Sequence, residues 1–179
     1  MKPLNSQQLV TRQRPRVILL VGLPGSGKST MAKEYDWPTL SSDELRIVLA
    51  DDATNQTVNG RVFATLRYLL RHRLEIGCPV TCIDATSLTP DERRPYIDLA
   101  AEYGAIPEAV FFDFPVQICQ SRNASRQRVV PIEAMEMLAA RLVPPSEAEG
   151  FWRVIHVTDW LQPASVVAHA ATKAPAARP

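Results

Sequence analysis

Residues 22–29 read GLPGSGKS, directly after the apolar run RVILLV of residues 16–21. The stretch matches G-x-x-x-x-G-K-[ST] at every fixed position, and that spacing has a mechanical reason. Its glycines let successive backbone N–H groups curl around a phosphate, Lys28 can reach the terminal phosphoryl oxygens, and the Ser29 hydroxyl can hold Mg²⁺. By average composition the bare pattern arises by accident in fewer than about one chain in a hundred. A strand before it and a helix from Thr30 to Tyr35 after it make accident rarer still. Gly25, Ser26, Gly27, Lys28, Ser29 and Thr30 are therefore the candidate nucleoside triphosphate-binding residues.

Working outward, three more apolar runs have the character of strands: VTCID (80–84), EAVFFD (108–113) and RVIHV (153–157). Two of them close on an aspartate, as ligand-facing strand ends do in open α/β sheets. Between the runs, apolar residues recur at helical spacing: Phe63, Leu66, Leu70 and Leu74; Tyr96, Leu99 and Tyr103; Ile132, Met135, Leu138 and Leu142. Pro90 and Pro131 suit first helical turns, whereas Pro95 predicts a kink or a late start. The alternation implies an α/β fold, a parallel sheet with helices on both faces. The expected organisation is an N-terminal extension over 1–15, one domain over 16–162 and an Ala/Pro-rich tail over 163–179.

A chain of 179 residues can bury a core without staples, and a net charge of +1 announces no global field for nucleic acid. Cys78, Cys82 and Cys119 form no C-x-x-C pair, which argues against a disulfide framework and a zinc ribbon. The N-terminus lacks the apolar core of a signal peptide, and no run is long enough to cross a bilayer. A cytoplasmic setting without membrane attachment is expected.

A phosphate loop alone does not separate kinases from GTPases or motor ATPases. No N-K-x-D guanine motif is present, nor four apolar residues closing on Asp-Glu. Residues 40–46, LSSDELR, allow two readings of Asp43. Ser41 and Glu44 can form a capping box with Asp43 near the positive helix end. The same first-turn acid can also face a γ-phosphate, with Arg46 three residues on sharing its side. In phosphoryl transfer a carboxylate can orient the acceptor hydroxyl and take its proton, while an arginine fixes an anionic part of the acceptor.

Residues 121–131, SRNASRQRVVP, carry Arg122, Arg126 and Arg128. If helical, Arg122 and Arg126 at i, i+4 reach one polyanion together, as a lid closing on a triphosphate would require. Asp84 can hold a magnesium-bound water, buttress Arg46 or serve structure alone. Arg67, Arg71, Arg73, Arg93 and Arg94 read as surface charges, with contacts along a phosphate backbone as the alternative. His72, His156 and His169 form no cluster.

Taken in order, GLPGSGKST, SSDELR, IDATSLTPDERR, FFDFP and SRNASRQRVVP resemble the 5′-hydroxyl polynucleotide kinases, over about Val17 to Met137. The resemblance implies a P-loop NTPase fold like that of adenylate kinase, with an arginine-bearing lid. It implies ATP and Mg²⁺ as cofactors and a 5′-OH end of DNA or RNA as partner. Lys28, Asp43 and Arg126 become the expected catalytic residues, with Asp43 matching the general base. Arg46 matches the arginine on the acceptor's neighbouring phosphate, Arg122 and Arg126 the pair on the ATP phosphates, and Ser29 with Asp84 the metal site. The chain has no D-x-D-x-T phosphatase motif and no ligase module. Zeta-type toxins and small-molecule kinases share this branch of P-loop proteins, so a small-molecule acceptor and a nucleotide-gated binding module are the rival readings.

Overall fold

The computed structural model describes residues 14–126 and 128–159. Nearly all of the expected N-terminal extension, and the whole expected tail, lie outside them. Five strands form one sheet in the order β2-β3-β1-β4-β5, with every pairing parallel. They are β1 (Arg16–Val21), β2 (Thr39–Ser41), β3 (Val80–Asp84), β4 (Ile106–Phe112) and β5 (Arg153–Val157). The helices are α1 (Lys28–Glu34), α2 (Ser42–Ala50), α3 (Asn59–Ile76), α4 (Pro90–Glu102), α5 (Val116–Ala124) and α6 (Ile132–Arg141). This is a P-loop kinase-like fold, as the strand–loop–helix reading of residues 16–35 requires.

Side chains alternate across a strand, so β1 feeds two cores. Val17, Leu19 and Val21 pack with Val62, Leu66, Leu70 and Leu74 of α3 and with Tyr96, Leu99 and Ala100 of α4. Ile18 and Leu20 join Met31 and Ala32 of α1 on the opposite face. Each such large side chain, fully buried, is worth about 1.5–3 kcal/mol against an exposed one. A third cluster of Leu23, Leu88, Cys119 and Met135 seats α5 and α6 on the loops that follow β1 and β3. Because the strands run parallel, the loops after β1, β2 and β3 emerge at one sheet edge, beside the central strand whose neighbours lie on both sides.

Two expectations change here. Arg93 is no surface charge: it is fully buried, and its guanidinium donates to both carboxylate oxygens of Glu149 at 2.8 and 2.7 Å. Its Nη1 also donates to the carbonyls of Ser87, Leu88 and Val143 at 3.0, 3.0 and 3.1 Å. A buried charge is tolerable only when paired and hydrogen-bonded in this way. Pro95 does not delay the start of its helix: α4 begins at Pro90, capped by Thr89, and carries Pro95 in its interior. Buried Tyr96, Ile97, Leu99 and Ala100 offset the missing backbone donor.

Candidate functional site

The loop after β1 is shaped by its glycines. Gly25 has φ +79°, and a Cβ there would lie 2.3 Å from the Cys119 carbonyl oxygen, so only glycine fits the seat on α5. Gly27, at φ 97°, precedes the first residue of α1. Lys28 is buried, with Nζ donating to the carbonyls of Gly22 and Leu23 at 2.8 Å each. Burial pulls its pKa down to about 8, with Asp84 opposing and Arg126 reinforcing that shift. Ser29 Oγ donates to Asp84 Oδ2 at 2.6 Å.

Asp43 stands in the first turn of α2, where Ser41 Oγ accepts from Glu44 N at 3.4 Å. The cap is therefore real, and it leaves the Asp43 carboxylate for other partners. Asp43 Oδ1 accepts from Arg46 Nη1 at 2.6 Å and from Arg128 Nη1 at 3.0 Å. Arg46 is nearly buried; its Nε and Nη2 donate to Asn59 Oδ1 at 3.0 and 2.8 Å, and Asn59 donates in turn to Gln56. Thus Arg46 leans on Asp43 and Asn59, and Asp84 leans on Ser29 instead of buttressing Arg46.

The arginine segment departs from its expected form. α5 ends at Ala124, so Arg122 lies in its last turn and Arg126 beyond it; the two do not share a helical face. They meet by another route, lining one hollow of about 350 Å³ with Gly25, Gly27, Lys28, Ser29 and Thr30. Arg122 also stacks its guanidinium over the Phe114 ring at 4.9 Å. Ser26 is fully buried beneath the loop and does not line either hollow.

A larger hollow of about 590 Å³ adjoins the first, with Asp43, Arg46, Asp84 and Arg128 in its wall and Met137 and Leu138 of α6 among its apolar lining. Lys28, Ser29 and Arg126 line both hollows. Two chambers thus meet at a lysine, a hydroxyl and a guanidinium, an arrangement able to hold a polyphosphate in one and present its end to the other. Hard oxygen donors at Ser29 and Asp84 fit Mg²⁺, which binds through one or two protein oxygens and takes water and phosphate for the rest. Among the described residues no group of three or more His, Cys, Asp or Glu could hold a metal by itself. No helix among them is long and apolar enough to cross a membrane.

Sequence reading missed Arg128 and Asn59 as parts of this wall. Arg128 stood in the arginine segment without an assigned task, and nothing local to Asn59 marks it.

A family model described as AAA domain matches residues 17–145. Among solved structures, a candidate kinase from Chloroflexus aurantiacus superposes with a TM-score of 0.70 at 16% identity, over 91% of this chain and 99% of that one. A gluconokinase from Sinorhizobium meliloti gives 0.59 at 18% identity, over 88% and 90%. A component of the Pnkp1/Rnl/Hen1 RNA repair complex gives 0.64 at 24% identity, over 76% of this chain but only 47% of that one. At these identities the likeness is one of fold.

Proposed function

The chain belongs to the AAA-domain family whose model covers residues 17–145, and from that premise we propose that it transfers the γ-phosphoryl group of ATP to the 5′-hydroxyl end of a polynucleotide. The observation carrying this reading is the shared wall: Lys28, Ser29 and Arg126 border both hollows, while Asp43 and Arg46 border the larger one alone. ATP occupies the smaller chamber and the acceptor the larger.

The phosphoryl group in flight carries its charge on three equatorial oxygens, so catalysis is chiefly alignment and neutralisation. The backbone N–H groups of the loop and Lys28 hold the triphosphate, and Arg122 and Arg126 add guanidinium charge from the far side. Ser29 and Asp84 would hold Mg²⁺, which would supply positive charge to the phosphate oxygens. Asp43 orients the acceptor hydroxyl and takes its proton as that oxygen bonds to the γ-phosphorus and the bond to the β-phosphate oxygen breaks, releasing ADP. Arg46 fixes the acceptor phosphate next to the reacting hydroxyl.

The similarity to the RNA repair component and the sequence resemblance support a polynucleotide acceptor. A hollow of about 590 Å³ also has the size of a small-molecule site, which favours a sugar or nucleotide-sugar acceptor as the second reading. Incubation with radiolabelled ATP, Mg²⁺ and, in parallel, a 5′-OH oligonucleotide, sugars, nucleotide sugars or no acceptor separates them. Label on the oligonucleotide is expected; label on small molecules alone would transfer the assignment to the second reading.

A further inference from the structure

Arg126 and Arg128 reach the walls of the hollows from the chain between α5 and α6, which belongs to neither helix. Ala124, Ser125, Arg126 and Val129 of this stretch are exposed, whereas Asn123 just before it is 3% exposed. The Asn123 side-chain amide spans the base of the stretch: Nδ2 donates to the Val130 carbonyl at 2.7 Å, and Oδ1 accepts from the Val130 N–H at 3.1 Å. Its main chain meets two further neighbours. The Asn123 carbonyl accepts from Arg126 N at 3.1 Å, and Asn123 N lies 3.1 Å from where a Cβ on Gly25 would stand. One residue thus touches the phosphate loop, the turn that presents Arg126 and the chain entering α6.

We propose that Asn123 is a positioning residue for phosphoryl transfer: its amide clasps Val130 and so fixes the stretch that holds the Arg126 guanidinium at the wall shared by the two hollows. The inference rests on the kinase reading and adds to it a residue that lines neither hollow. A primary amide carries a donor and an acceptor side by side, as a peptide unit does, and here it satisfies both polar groups of Val130 at once. Val130 in turn packs against the buried cluster of Leu23, Leu88, Cys119 and Met135. The clasp therefore ties an exposed arginine turn to a core that also contains Leu23 of the phosphate loop. Without it the stretch regains conformational entropy, and aligning the guanidinium on a phosphate must remove that entropy again.

The test is a double-mutant cycle on the full chain with two readouts: calorimetric affinity for a non-hydrolysable ATP analogue, and turnover with a 5′-OH oligonucleotide. Arg126→Ala is expected to weaken the analogue about tenfold or more, as loss of a charge-assisted hydrogen bond does. Asn123→Ala should weaken it by a smaller factor and lower kcat by up to about 10²-fold, the scale of a small misplacement. In the Arg126→Ala background, Asn123→Ala should move neither readout further, because a residue acting through Arg126 has nothing left to act on. Asn123→Asp keeps the acceptor for the Val130 N–H but not the donor, and should fall between Asn123→Ala and the parent. Effects that multiply in either readout overturn the proposal, as does parent-like behaviour of Asn123→Ala in both. Circular dichroism verifies folding; should Asn123→Ala not fold, Asn123→Asp carries the cycle under the same criteria. If the analogue affinities fail to multiply but no label moves to any acceptor, the transfer reading falls and the clasp stands; label transfer with multiplying effects gives the reverse.

Discussion

Ser29 Oγ and Asp84 Oδ2 lie 2.6 Å apart, joining the first turn of α1 to the C-terminal end of β3. Two oxygen donors from different elements therefore meet at the wall of the larger hollow. Asp84→Asn keeps the shape and removes the charge that favours a hard cation. The Mg²⁺ concentration for half-maximal transfer should rise about tenfold or more. An unchanged Mg²⁺ requirement would reduce Asp84 to a structural partner of Ser29.

Asp43→Asn separates chemistry from capping. General-base loss typically costs ~10²–10⁴-fold in turnover, so transfer should collapse while ATP affinity stays near that of the parent chain. Ser41→Ala removes the observed cap instead, at about 1 kcal/mol of stability. Thermal unfolding and turnover of the two variants should therefore rank them in opposite orders.

Lys28 couples nucleotide binding to protons. Its pKa falls from 10.5 to about 8 on folding, chiefly through burial. The nucleotide-free protein thus sheds this proton before the unfolded chain does, and its stability should rise with pH between about 8 and 10.5. A bound triphosphate favours the charged lysine and raises the pKa again. ATP affinity should accordingly weaken as pH climbs above about 8, with proton uptake on binding visible as a dependence of the calorimetric heat on buffer ionisation. Lys28→Ala should abolish that uptake.

Arg93→Met strands the half of an ion pair that remains. Glu149, 11% exposed at its side chain, would lose its bidentate partner, and the Ser87, Leu88 and Val143 carbonyls a shared donor. Breaking such a pair costs about 3–5 kcal/mol, measurable as a lower urea midpoint. Arg93→Met combined with Glu149→Leu should recover part of the loss.

What the sequence disclosed follows the range of the forces involved. The unit from β1 through α1 was legible because glycine conformation, phosphate geometry and strand burial all act within about twenty residues. β2 went unread because TLS is three half-buried residues without an apolar run, given its place by β3 alone. α5 went unread because VQICQSRNA has neither a side-chain cap nor a marked apolar stripe, so nothing in the sequence marked its end at Ala124, between Arg122 and Arg126. Arg93 misled for a related reason: a charge on a helix normally faces water, and its partner Glu149 stands 56 residues away. The same distance effect hid Arg128, whose contact with Asp43 spans 85 residues.

The close approach of Gly25 to the Cys119 carbonyl leaves no room for a side chain at that point between the loop and the helix beneath it. Such a seam tolerates no drift in either half: a methyl group at position 25 must displace main chain, so the two segments can diverge only as a matched pair. For anyone re-engineering the larger hollow, this divides the scaffold into a fixed cassette of loop and supporting helix, to be transplanted whole, and an apolar wall from α6, Met137 and Leu138 among it, open to redesign.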